Sequence, residues 1–122
     1  MSALAAMSLS QTAIAADPIL DANVDNPAGT TITGTAGYGV KLDAGGPYTI
    51  ANSGEITVDA ATEGYGIWIN DNGDNDSLVV TSLINNGVIY GEATATKNGY
   101  GIVIHDYGTI TTLTNSGTIH GF

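Results

Sequence analysis

The densest group of side chains able to do chemistry is the run Asp71-Asn72-Gly73-Asp74-Asn75-Asp76, where Asp71, Asp74 and Asp76 are spaced as oxygen ligands for Ca²⁺ would be. The run lacks the distal glutamate of an EF-hand loop and is not the glycine-rich nonapeptide of calcium-binding β-rolls. A solvated Asx-rich turn is therefore preferred over a calcium site. His105 and His120 are the only histidines and there is no cysteine, so neither thiolates nor paired imidazoles are present to bind zinc. Asp106 beside His105 supplies the acid and base of a hydrolase triad, but no serine stands in a G-x-S-x-G elbow. Hydrolysis of a glycoside would need paired carboxylates on one face, from among Asp43, Asp59, Glu63 and Asp106. A lyase acting on acidic polysaccharide would need a basic group, and the chain has no arginine and only Lys41 and Lys97. No catalytic residue, metal or cofactor is nominated.

The 122 residues carry a formal net charge of −10, which repels nucleic acid and anionic lipid alike. Seventeen glycines with 43% hydrophobic residues describe a chain that turns often while burying aliphatic surface, which points to the all-β class. With no cysteine, stability must come from repetitive backbone pairing and packing.

The elements that must position these residues are written as a repeat. Three segments begin Gly-Tyr-Gly: 37–42, 64–69 and 99–104. Each is followed by a second block, Ile50-Ala-Asn-Ser-Gly-Glu-Ile56, Leu83-Ile-Asn-Asn-Gly-Val-Ile89 and Leu113-Thr-Asn-Ser-Gly-Thr-Ile119, and these align without gaps. A fainter version runs from Asn26 through Gly29 to Ile32. Strand alternation sends Val40, Leu42, Ile67, Ile69, Ile102 and Ile104 inward, together with Ile50, Leu83, Leu113, Ile56, Ile89 and Ile119. Lys41, Trp68, Val103, Thr57, Tyr90 and His120 then face outward, with Trp68 and Tyr90 as candidate surface-binding residues. Tyr38, Tyr65 and Tyr100 recur at one position and are expected to stack.

Alternation also sends Asn52, Asn85 and Asn115 inward, where an unpaired amide is costly. Coils stacked about 4.8 Å apart would let each amide bond the next, forming a structural ladder. The glycine that follows is expected to provide the bend through positive φ. The expected fold is a right-handed parallel β-helix of about three coils, near 37–63, 64–98 and 99–122, preceded by a lead-in and partial coil over 17–36. The competing architecture is a soluble β-sandwich binding domain of short antiparallel strands.

Residues 2–16 are uncharged and alanine-rich, and Ala13 and Ala15 stand in the A-x-A arrangement that precedes a signal-peptidase cut. Residues 1–16 are expected to be a signal-peptide remnant whose basic start lies upstream.

The Leu113–Ile119 phrase, its two relatives and the Gly-Tyr-Gly-Ile runs resemble the degenerate repeats of autotransporter passenger β-helices, over residues 26–122. The resemblance implies an exported segment carried to the cell surface or outer membrane by a C-terminal membrane barrel, which the full-length parent would supply. It implies a non-catalytic, adhesin-like role with a host-cell or other extracellular surface ligand. A polysaccharide-processing enzyme on the same fold is the alternative.

Overall fold

Short runs of β-branched and aliphatic residues, each bounded by Gly, Asn, Ser or Asp, pair here only with their own repeats elsewhere in the chain. The computed structural model describes residues 19–59, 63–70, 78–92 and 98–121. Its first strands are β1 (Ile19–Leu20), β2 (Val24–Asn26) and β3 (Thr31–Gly34), followed by β4 (Tyr38–Leu42), β5 (Tyr48–Asn52) and β6 (Glu55–Val58). The next repeat gives β7 (Gly64–Asn70), β8 (Val79–Asn85) and β9 (Val88–Gly91). The last gives β10 (Gly99–His105), β11 (Thr109–Ile110), β12 (Leu113–Asn115) and β13 (Thr118–Gly121).

These strands form three sheets, ordered β1-β4-β7-β10, β11-β8-β5-β2 with β12 also on β8, and β13-β9-β6-β3. Every pairing among the described strands is parallel, as a stacked parallel β-helix requires. The antiparallel β-sandwich is thereby overturned. Its strands would be joined by hairpins, whereas here consecutive strands enter different sheets and each strand pairs with its equivalent one repeat away.

The register follows the repeat. Val24, Ile50, Leu83 and Leu113 lie over one another, as do Asn26, Asn52, Asn85 and Asn115, and Ile32, Ile56, Ile89 and Ile119. In the first sheet Ile19, Val40, Ile67 and Ile102 form a further column beside Leu42, Ile69 and Ile104. The core comprises the inner members of these columns with Leu78 and Val80. Fully burying each such side chain contributes about 1.5–3 kcal/mol.

Several expectations change. Ile104 and Leu113 are 46% and 52% exposed, because no described strand lies beyond β10 and β12 to cover them. The stretch taken as a lead-in does more than begin a coil, since residues 19–34 give a strand to each sheet, including Ile19 against Val40. The register of β5 on β8 slips between Tyr48 and Thr49, where Thr81 is an extra residue that forms a bulge.

The role given to the turn glycines is also different. Gly54, Gly87 and Gly117 do not have positive φ. They are required because a Cβ on Gly87 would collide with the carbonyl oxygen of Gly54, and one on Gly117 with that of Gly87. The turns stack backbone on backbone. Residues 1–16, read as a signal peptide, lie outside the described residues.

Candidate functional site

Strict alternation fails at one point in the first sheet, and this shapes the outer surface. In β4 and β7 two consecutive residues are buried, Gly39 with Val40 and Gly66 with Ile67. Gly66 fits there because a side chain would meet Ile89 Cγ2 at 2.8 Å and the Gly101 carbonyl oxygen at 2.6 Å. The break brings residues three apart, Tyr65 and Trp68, onto the same outer face, with ring centroids 5.6 Å apart.

The result is an aromatic shelf. Tyr38, Tyr65 and Tyr100 stack at 5.7 and 5.3 Å with nearly parallel planes, and Trp68 lies over Tyr38 at 4.6 Å and 6°. Lys41 Nζ sits 4.9 Å from both the Tyr38 and the Trp68 rings and 3.5 Å from Asp43. His105 meets the Trp68 edge at 5.9 Å. Trp68 is thus half-buried, and among the described residues its buried Nε1 has no hydrogen-bond partner. Lysine and aromatic faces attract through the ring quadrupole, so the shelf stabilises its own sheet as well as presenting a surface.

Tyr90, the other outward candidate, is on β9 in a different sheet, where it stacks on His120 at 5.2 Å and 9°. The structure therefore does not join Trp68 and Tyr90 in one patch. Val103 is opposite Trp68 in register and half-buried. Alternation alone could not reveal the joining of Tyr65 to Trp68; the signal was the second glycine of each Gly-Tyr-Gly, whose missing side chain lets two neighbours face inward.

The carboxylates do not converge. Asp43 holds Lys41, Glu63 accepts a hydrogen bond from the Tyr65 hydroxyl at 2.7 Å, and Asp59 and Asp106 are exposed. Among the described residues no three of His, Asp and Glu gather around a space that would take a metal ion. The calcium candidate Asp71, Asp74 and Asp76 lies outside the described residues, as does Lys97.

The bond to Glu63 is the main reason that the Tyr65 hydroxyl is pushed up to about 12, with burial and the Glu63 charge acting in the same direction. Because the folded value lies above the ordinary 10, this contribution to stability is complete below pH 10 and is lost as pH rises through about 12. Spectrophotometric titration is expected to show one tyrosine ionising near pH 12 and the Glu63→Gln variant losing that late phase. An unchanged late phase in the variant would rule out Glu63 as the cause.

The asparagine column is the most ordered polar feature. Asn26 Nδ2 donates to Asn52 Oδ1 at 2.7 Å, Asn52 to Asn85 at 2.8 Å and Asn85 to Asn115 at 2.8 Å. Each of the first three amides also reaches the carbonyl oxygen three residues past the next asparagine, at Glu55, Val88 and Thr118. Asn26, Asn52 and Asn85 are buried and satisfied. Replacing Asn85 with Ala removes both links of its rung and leaves the buried Asn52 amide short of an acceptor, so the variant is expected to lose about 2–3 kcal/mol in urea unfolding. A loss below about 0.5 kcal/mol would show that the column is decorative.

No family model matches the chain, and neither does any curated protein or solved structure.

Proposed function

We propose that this chain is a non-catalytic, adhesin-like display segment of an exported autotransporter-type surface protein, built as a right-handed parallel β-helix of about three coils around a closed interior. The observation that carries this reading is the unbroken register of the asparagine and aliphatic columns along one axis. Such stacking uses the inward side chains for structure and leaves the outer faces and loops to vary. The aromatic shelf on the first sheet and the Tyr90–His120 pair on the third supply binding surfaces of the kind enriched at interfaces. A net charge of −10 suits an extracellular partner that is neither nucleic acid nor anionic lipid. The alanine-rich residues 2–16 ending in A-x-A support export.

The test is to label protein N-termini at the surface of intact cells that express the native gene. A surface-exposed mature chain beginning at or near Asp17 is expected. Recovery of the chain solely from the cytosol, with residues 1–16 retained, would sink the export reading. On the purified chain, Trp68→Ala should weaken adhesion to an extracellular-matrix or glycan-coated surface while the far-ultraviolet circular dichroism stays that of parallel β-structure.

A further inference from the structure

The aromatic shelf holds the chain's one tryptophan against three tyrosines, and the four rings differ in what surrounds their N–H and O–H groups. With no cysteine in the chain, indole and phenol rings are the side chains that a one-electron oxidant attacks most readily. Trp68 lies 4.6 Å from Tyr38 and 5.6 Å from Tyr65, ring to ring, close enough for an electron to pass directly between them. Among the described residues its buried Nε1–H has no acceptor, so an oxidised indole keeps its proton and stays a radical cation, the more strongly oxidising form.

The three tyrosines are not equivalent as electron donors. Losing an electron makes a phenol strongly acidic, so a tyrosine gives up its electron readily where a base stands ready to take the proton. The Tyr65 hydroxyl donates to Glu63 Oε2 at 2.7 Å, a charge-assisted bond that also keeps the resting phenol neutral well above its ordinary range. The Tyr100 hydroxyl instead accepts from Asn98 Nδ2 at 3.3 Å, and neither it nor the Tyr38 hydroxyl donates to a base among the described residues. Lys41 Nζ lies 4.9 Å from the Tyr38 and Trp68 rings, its charge part-balanced by Asp43 at 3.5 Å, and among the described residues no such cation stands over Tyr65. Positive charge is thereby disfavoured on Trp68 and Tyr38.

We infer that the shelf is a one-electron relay, entered at Trp68 and ending at Tyr65, with Glu63 as the proton acceptor. A one-electron oxidant, of the radical kind that peroxide chemistry yields, removes an electron from the indole. The Trp68 radical cation then takes an electron from Tyr65 while the phenolic O–H bond breaks and its proton forms an O–H bond on Glu63 Oε2. The products are neutral Trp68, a Tyr65 phenoxyl radical and a protonated Glu63, so charge, protons and electrons balance with no further reactant. Tyr65 is accordingly the residue at which oxidative modification of this face begins. The relay holds whether or not the chain is displayed at a cell surface.

The test is pulse radiolysis of the full chain with the azide radical as oxidant, following the indole-radical and phenoxyl absorption bands. The indole band is expected to decay as the phenoxyl band rises, at one rate that does not change with protein concentration. Glu63→Gln should slow this step about tenfold or more, because the charge-assisted bond that accepts the proton is lost. Tyr65→Phe, which keeps the stacked ring, should slow it at least as much, whereas Tyr38→Phe should leave the rate as it is. Circular dichroism of each variant confirms that the β-structure is retained. A rate that rises with protein concentration, a missing phenoxyl band, or a transfer slowed by Tyr38→Phe and not by Glu63→Gln would each overturn the inference.

Discussion

Ile67→Asp is expected to abolish folding, with loss of the β-sheet circular dichroism signal and of any cooperative urea transition at room temperature. Ile67 is fully buried between Val40 and Ile102 in the column of the first sheet. Among the described residues a carboxylate there has no lysine to meet, since Lys41 is turned to the outer face over Tyr38 and Trp68. The cost combines a lost aliphatic side chain with a buried unpaired charge, more than about 4 kcal/mol and a large share of a small domain's stability. Trp68→Ala, one residue away, should leave the chain folded. It loses the stack on Tyr38 and the contact with Lys41, about 1–2 kcal/mol. Similar damage from both variants would mean that the two faces of the sheet are not distinguished as the burial pattern requires.

That pair of neighbours also shows how far the fold was legible in the sequence. Aliphatic residues two apart, repeated about every 30 residues, place Ile67 inside and Trp68 outside without any coordinates, because pleating alone sets the alternation. The in-register Asn-x-Gly phrases likewise imply parallel stacking, since an inward asparagine needs an equivalent above it to satisfy its amide. What could not be read were features decided by close approach rather than by pattern. Ile19–Leu20 is too short to announce a strand, and only its seat against Val40 and Lys41 makes it one. The bulge at Thr81 leaves no mark in composition.

The outer surface was the least legible part. Tyr65 and Trp68 meet because Gly66 lets the strand bury two residues in succession, a departure from period two that side-chain polarity does not encode. The separation of Trp68 from Tyr90 follows from sheet membership, which alternation within a strand does not reveal. The asparagines, by contrast, depend only on register, and register was carried by ungapped repeats.

Gly87→Ala is expected to cost at least about 3 kcal/mol in urea unfolding, far above the usual effect of such a change. Backbone conformation is not the reason, because φ at Gly87 is not positive and alanine adopts it freely. The new Cβ would instead collide with the carbonyl oxygen of Gly54 and lie 2.8 Å from the carbonyl carbon and oxygen of Ser53. Those atoms cannot swing aside as a flexible side chain would, since the Gly54 oxygen accepts the Val88 N–H at 2.9 Å and the neighbouring Asn52 carbonyl accepts Asn86 at 2.7 Å. Relief requires the two rungs to part, which also lengthens the Asn52–Asn85 side-chain bond. Gly29→Ala is the matched control: its φ of +83° disfavours alanine, but nothing lies within 4 Å of the added carbon. That variant should lose only about 1–2 kcal/mol, the cost of a left-handed alanine. If both variants lose the same amount, the turns are held by local conformation; a clearly larger loss at Gly87 places the constraint in the contact between stacked backbones, the same contact that keeps the asparagines within hydrogen-bonding reach.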